Sequence, residues 1–218
     1  DDKDVLAKWS AFDMYVGGAE HASRHLIYAR FWDKCLFDIG VVTNDEPFTA
    51  LRQVGLILAE DGRKMSKRWG NVINPDQIIE SHGADAMRVY EMFMGPFNQS
   101  VAWSTNGLTG ARKFLDKVWN LSEKLSDNAD SRDIERLLHK TIKKVGSDIE
   151  TLAFNTAVSS MMILVNAWTT SPSTELRTGS PLSTGAETSV NKDNFRSFIL
   201  LLAPFAPHMT NELWQDVN

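Results

Sequence analysis

The chain has a single cysteine, Cys35, among its 218 residues. That excludes an intramolecular disulfide framework and any zinc site built on several thiolates, and it suits a reducing compartment. Cys35 itself reads as a small buried hydrophobe on a helix rather than as a nucleophile. No apolar run reaches the length of a bilayer span, so no membrane role is expected. No signal peptide opens the sequence, and it begins at Asp1 rather than Met, which reads as a processed or excised piece. Positive charge is in the minority: 23 Lys and Arg stand against 28 Asp and Glu, a net charge of −5 that argues against a protein coating RNA indiscriminately. The cations are nevertheless clustered, at Arg63 to Arg68, Arg112 to Lys117 and Lys140 to Lys144, so local basic patches survive an acidic average. Most such clusters in proteins are simply solvated faces.

What is present is enough apolar residue for a packed core, 43% of the chain, in one large domain or two small ones. Phe12 to Val16 is short, aromatic and β-branched, and Gly17-Gly18 stops it, which predicts a buried strand entering a tight turn. From Ala19 the pattern becomes helical, with Leu26, Ala29, Phe31 and Leu36 along an apolar side until Gly40. Strand, glycine turn and helix make the βα unit of a nucleotide-binding sheet, whose ligand face lies at the strand's carboxyl end. Glu20, His21 and His25 follow that turn directly. His21 and His25, four apart, are expected on one helical face. Such a pair can hold a metal, but nothing beyond Glu20 offers itself as a third ligand, so no metal is expected; capping or core packing is the default for histidines so placed.

Glu46-Pro47-Phe48 breaks the pattern, Val54 to Leu58 reads as a strand, and Glu60-Asp61-Gly62 as a turn. Then comes Gly62-Arg63-Lys64-Met65-Ser66-Lys67-Arg68-Trp69-Gly70-Asn71, a basic strip between glycines. Lysines three positions apart on a flexible loop, with backbone amides freed by glycine, suit a polyphosphate, because phosphoryl chemistry builds negative charge on departing oxygens. Asn74 before Pro75 is an N-cap and first-turn pair and Gly83 a stop, predicting a helix over 75–82. A further helix starts at Asp85 and ends at Gly95-Pro96. Beyond Pro96 the periodicity is helical throughout: Leu108, Ala111, Phe114, Leu115, Val118 and Trp119 form one face, and Ile134 to Leu152 a second amphipathic stripe. Helices over 157–168 and 194–204, and another opened by Pro207, complete an antiparallel bundle. Between them, 169–192 is rich in Ser, Thr, Gly and Pro and reads as an exposed, partly disordered loop.

Lys64-Met65-Ser66-Lys67 resembles the K-M-S-K-S signature of class I aminoacyl-tRNA synthetases, with Arg68 in place of the last Ser. Asp13-Met14-Tyr15-Val16-Gly17-Gly18-Ala19-Glu20-His21, running on through His25-Leu26-Ile27-Tyr28-Ala29-Arg30-Phe31, resembles leucyl-tRNA synthetase specifically. Asn71-Val72-Ile73-Asn74-Pro75, Gly83-Ala84-Asp85 and Tyr90 to Pro96 continue the resemblance in order. The resemblance implies a mainly α fold with a small α/β part: the end of a Rossmann-like nucleotide-binding domain followed by an α-helical bundle of anticodon-binding type. The expected divisions are 1–45, the last βα unit of the catalytic domain; 46–100, a connective region holding the lysine loop; and 101–218, the bundle with its loop at about 169–192.

The resemblance also implies site residues. Gly17, Gly18 and Glu20 would meet the adenosine of ATP, Glu20 by accepting from ribose hydroxyls, while His21 and His25 would line the leucine pocket. Lys64, Met65, Ser66 and Lys67 would bind the ATP phosphates, with Lys64 and Lys67 catalytic. Lys113 and Lys117, one turn apart, would face tRNA(Leu), although as solvated lysines on an amphipathic helix they need no further explanation. Magnesium would accompany the ATP; the compartment would be bacterial cytoplasm, or an organelle. H-I-G-H, the other class signature, occurs nowhere in the chain, so the resemblance implies a missing amino-terminal half as partner and no activity for the chain alone. The absent signature and Arg68 also fit a non-catalytic RNA-binding or protein-interaction module derived from a synthetase.

Overall fold

In a computed structural model, the structure describes residues 3–9, 11–128, 130–170 and 189–217. Most of the expected loop over 169–192 therefore lies outside the described residues. The chain divides into two compact units, one running as far as Met65 and taking in Asn98–Ala102, the other made of Ser66–Phe97 and the chain from Trp103 onward.

The first unit contains a short helix α1 (Lys3–Lys8), strand β1 (Tyr15–Gly18), helix α2 (His25–Asp38) and strands β2 (Leu51–Val54) and β3 (Ile57–Leu58). β1 and β2 pair in parallel, Tyr15 opposite Leu51 and Gly18 opposite Val54, and a parallel bridge joins Phe12 to Phe48 ahead of them. The α2 crossover between parallel strands is the expected βαβ arrangement. The strand begins later than the aromatic run suggests and includes both glycines. β3 pairs in parallel with β4 (Val101–Ala102). The expected single strand over 54–58 is interrupted at Gly55, where the backbone comes so close to Gln99 that a Cβ would stand 1.8 Å from its carbonyl oxygen. Among the described residues of this unit only Pro47 and Ala59 are buried.

The second unit is helical: α3 (Pro75–His82), α4 (Ala84–Phe93), α5 (Thr105–Ser122), α6 (Arg132–Glu150), α7 (Phe154–Thr170), α8 (Lys192–Leu202) and α9 (Pro207–Val217). A two-residue parallel pair, β5 (Leu125–Ser126) with β6 (Val190–Asn191), joins the chain ahead of α6 to that ahead of α8. Side-chain oxygens cap four of these helices, satisfying first-turn amides that would otherwise lack partners. Asn74 accepts from Asp76, Ser104 from Gly107, Ser131 from Ile134, and Asn191 from Asp193 and Asn194. Gly83 ends α3 with φ +89°, a conformation that favours glycine.

Val89, Leu108, Val118, Val145, Met161, Leu164, Phe195, Phe198, Leu202, Phe205 and Leu213 form a continuous buried set. The apolar stripe of α5 packs as its spacing predicts except at Trp119, which is 40% exposed. The buried polar residues Asp85, Thr141, Asp148 and Thr210 are matched. Asp148 receives Lys144 at 2.6 Å and the Thr156 hydroxyl at 2.7 Å across the α6–α7 corner. α4 holds the α8–α9 corner from both sides: Arg88 donates to the carbonyls of Pro204 and Phe205, and Asp85 accepts the backbone N–H groups of His208 and Met209.

Candidate functional site

The Gly17-Gly18 end of β1 feeds a 3-10 turn, Ala19–Ser23, and α2 starts only at His25, after Arg24 with φ −127° and ψ −102°. His21 therefore sits in the tight turn and His25 opens the α-helix. They do not share one α-helical face, contrary to the spacing argument, because the backbone needs that break to leave the strand. Both rings are exposed.

Gly18 has an ordinary φ of −69°, so its use is spatial. A Cβ there would lie 2.7 Å from Glu20 Oε2. The Glu20 carboxylate folds back over the turn, where acceptance of its own backbone N–H, then of the Lys64 ammonium, holds its pKa below the usual carboxylate value. Lys64 Nζ is 3.4 Å from Glu20 Oε1. Lys64 reaches that position on a hairpin that follows β3. Leu58 bridges Lys64 antiparallel, Ala59 N–H donates to Arg63 at 2.9 Å, and Gly62 turns the chain with φ +76°. Arg63 pairs with Asp61 at 2.6 Å.

Tyr15, which the sequence offered only as a strand residue, shares a 2.9 Å hydrogen bond between its hydroxyl and His25 Nδ1. The two rings are stacked, 5.5 Å apart with planes 7° from parallel, and Tyr15 also rests on Phe48 at 4.6 Å. Its ring passes Gly17, where a Cβ would be 3.5 Å away. The strand's period of two puts Tyr15 and Gly17 on one face but carries no sign of the contact with His25.

The division between units falls inside the basic motif, so that Lys64 and Met65 belong to the first and Ser66 and Lys67 to the second. Within the second, Ser66 N–H donates to Asn71 Oδ1 at 2.9 Å, and Lys67–Trp69 form a 3-10 turn closed by Gly70 at φ +62°. The Arg68 guanidinium lies over the Trp69 ring, 5.4 Å from its centre. Arg68 is thus held by an exposed neighbour where the signature has serine. Lys113 and Lys117 are exposed on α5, and Lys117 donates to Asn166 of α7 at 2.8 Å.

Among the described residues, no group of three or more His, Cys, Asp or Glu is placed to hold a metal. No helix among them is long and apolar enough to cross a membrane.

Residues 2–104 match the family described as tRNA synthetases class I (I, L, M and V), and residues 131–218 match the anticodon-binding domain of tRNA ligases. Among solved structures the chain is similar to the leucyl enzyme in the ternary complex of Agrobacterium radiobacter K84 agnB2 LeuRS, tRNA and LeuAMS. The two are 34% identical with a TM-score of 0.77 over 94% of this chain. The chain spans 27% of that protein's length. With a βαβ unit that carries a glycine turn and a lysine hairpin, then a capped helical bundle, and with both halves matched, the chain belongs to the class I tRNA synthetases.

Proposed function

We propose that the chain is the part of a leucine–tRNA ligase that holds ATP and leucine on one side of the reaction and leans a helical bundle against tRNA(Leu). In that reaction the leucine carboxylate attacks the α-phosphorus of ATP. The bond to the bridging oxygen breaks, pyrophosphate leaves, and leucyl adenylate then gives its leucyl group to the terminal ribose of the tRNA. The observation that carries the reading is the pairing of opposite charges at the glycine turn: Glu20 and Lys64, 44 positions apart in sequence, meet at 3.4 Å. One carboxylate to accept ribose hydroxyls beside one ammonium for phosphate is what a nucleotide triphosphate requires. The 34% identity with a leucyl enzyme supports leucine over the other members of the family.

Each residue then has a task. Gly17 and Gly18 let the adenosine approach the backbone, and Gly18 leaves room for the Glu20 carboxylate. His21 and His25 line the leucine side chain, and Tyr15 fixes the His25 ring through its stack and hydrogen bond. Met65 and Ser66 carry the loop on which Lys64 and Lys67 face the β- and γ-phosphates. Lys67 gains most as pyrophosphate charge develops, since preorganised charge counts most where charge appears. Magnesium would accompany the ATP phosphates, the described residues offering it no dedicated ligand set. Lys113 and Lys117 contact tRNA phosphates, which position without reading sequence.

The partner is the amino-terminal half of the same enzyme, carrying the H-I-G-H signature. Its support is the apolar surface of the first unit. Tyr28, Phe31 and Trp32 on α2 are each about two-thirds exposed (66%, 64% and 65%), and no residue of β1 or β2 is buried, whereas parallel sheets are normally buried on both faces. In the complete enzyme, Lys67→Ala lowers leucine-dependent ATP–pyrophosphate exchange by about a hundredfold to a thousandfold, on the scale of losing one oxyanion donor, with leucine affinity unchanged. Full exchange activity in that variant would refute the assignment. Replacing Lys113 and Lys117 together by Ala weakens tRNA binding and flattens its dependence on salt; unchanged binding would remove them from the interface.

A further inference from the structure

Helix α5 turns two adjacent stripes outward. One carries Lys113 and Lys117. The other carries Arg112, Asp116 and then Trp119 with Asn120, each three or four positions on from the one before on the helix and so aligned along it. This second stripe is one wall of a cavity of about 620 Å³, a volume ordinary for a small-molecule site. The facing wall is the α3–α4 corner and the first turn of α9, and Leu115 and Ala86 supply an apolar lining. The whole cavity lies within the second unit.

Its polar groups are held in place. Arg112 donates from Nε to Asp116 at 2.8 Å and from Nη1 to the His82 carbonyl at 3.0 Å. Gly83, held at φ +89°, borders this contact, with Arg112 Nη1 at ordinary van der Waals distance, 3.6 Å, from where a Cβ would stand. His208 is fixed by its Nδ1 against Asp85 Oδ1 at 2.7 Å. Trp119 stands apart from the rest of the α5 apolar face, whose other members are at most 5% exposed while its own ring is 40% open at the cavity.

These groups select a ligand class. Arg112 is already neutralised by Asp116, so a bare phosphate gains little there. A purely apolar guest would make no use of the Asn120 amide or of the Asp116 oxygen that Arg112 does not engage. A flat heterocycle with donors and acceptors along its edge uses the indole face, the carboxylate and the amide together. Lys113 lies one stripe away, where a phosphate attached to such a ring would run.

We propose that this cavity is a nucleobase pocket, which takes an unstacked purine against Trp119 and reads its edge with Asp116 and Asn120, either from a free nucleotide or from a base turned out of RNA. The RNA form rests on the tRNA-ligase reading; the pocket itself does not, because it shares no residue with the proposed ATP and leucine site.

The test labels the tryptophan indoles of the 218-residue chain with nitrogen-15, assigns Trp119 by Trp119→Phe, and titrates separately with AMP, single-stranded hexaadenylate and inorganic phosphate. The Trp119 resonance is expected to move saturably with a purine probe and to stay in place with phosphate. Movement with AMP marks a pocket open to free nucleotides, and movement with hexaadenylate alone marks a base presented by RNA. Asn120→Ala, at an exposed position, is expected to weaken the binding about three- to tenfold. No movement at millimolar AMP or hexaadenylate, an equal response to phosphate, or full affinity in Asn120→Ala would overturn the pocket. The backbone amides of Gly17 and Gly18, followed with ATP on the same chain, report the adenosine reading of the first unit, so the two readings fail independently.

Discussion

Gly18 lacks a side chain because Glu20 takes the space. Its φ of −69° would suit any residue, so Gly18→Ala costs the backbone nothing and acts at the site, by displacing a carboxylate whose oxygen would be 2.7 Å from the new methyl and by crowding the adenosine. In the complete enzyme the substitution is expected to raise the KM for ATP about tenfold, the loss of one charge-assisted hydrogen bond, with an unchanged melting temperature. An unchanged KM would remove Glu20 from the adenosine site. Glu46 gives a pH test. Arg30, then Lys34, hold its carboxyl well down, at about 2. A depressed carboxylate pKa means stabilisation fully present above the ordinary value near 4.5 and lost as pH falls toward 2. The stability difference between the protein and Glu46→Gln is therefore expected to be constant from pH 7 to 5 and to shrink steadily as pH falls toward 2; a difference as large at pH 2 as at pH 7 would contradict the ion pairs. At this scale Gly18, Glu20 and Lys64 stand in a recognisable pattern of the sequence, and the structure brings the three together, whereas Tyr15 was hidden. Its contact with His25 depends on where α2 begins, and ring stacking across a turn leaves no periodic trace.

Elements were most legible where local chemistry decides them. The Asn74-Pro75 start and Gly83 stop of α3 are cap and turn rules acting within a few residues, and the structure places the helix over the same Pro75–His82. The misreadings arose where tertiary contact decides. The run from Ala19 looked uniformly helical, but leaving a strand through two glycines takes a 3-10 turn and a break at Arg24 before α2 forms. Trp119 fits the apolar period of α5, yet the helix is wide enough that its stripe extends past the core to the cavity. Gly107, in the first turn of α5, sets two effects against each other. Alanine has the better helix propensity, by up to about 1 kcal/mol. Its Cβ, however, would lie 2.7 Å from Cε2 of Tyr90, a ring only 2% exposed whose hydroxyl also accepts the Ser104 N–H. Overpacking of that kind costs about 1 to 3 kcal/mol, so Gly107→Ala is expected to lower the melting temperature. A rise would show that Tyr90 moves freely.

At the scale of the molecule the two units differ in what they can do for themselves. The second has a buried core of aromatic and aliphatic side chains from six of its helices, with capped ends and matched buried charges. The first has a βαβ crossover, a glycine turn and a lysine hairpin, but almost nothing buried among its described residues. The bundle was readable as a bundle because amphipathic periodicity encodes burial directly. The first unit was readable only as a strand, glycine turn and helix, since its outward aromatics, Tyr28, Phe31 and Trp32, follow the helical period without being buried. The central claim, that this chain contributes one half of a leucine-activating site, is tested most directly by leucine-dependent ATP–pyrophosphate exchange. It is measured on the chain alone and mixed with a separately made amino-terminal half of a leucyl enzyme. The account predicts exchange only in the mixture, abolished when the chain carries Lys67→Ala. Exchange by the chain alone, exchange in the mixture that is indifferent to Lys67→Ala, or none from halves that demonstrably associate would contradict it.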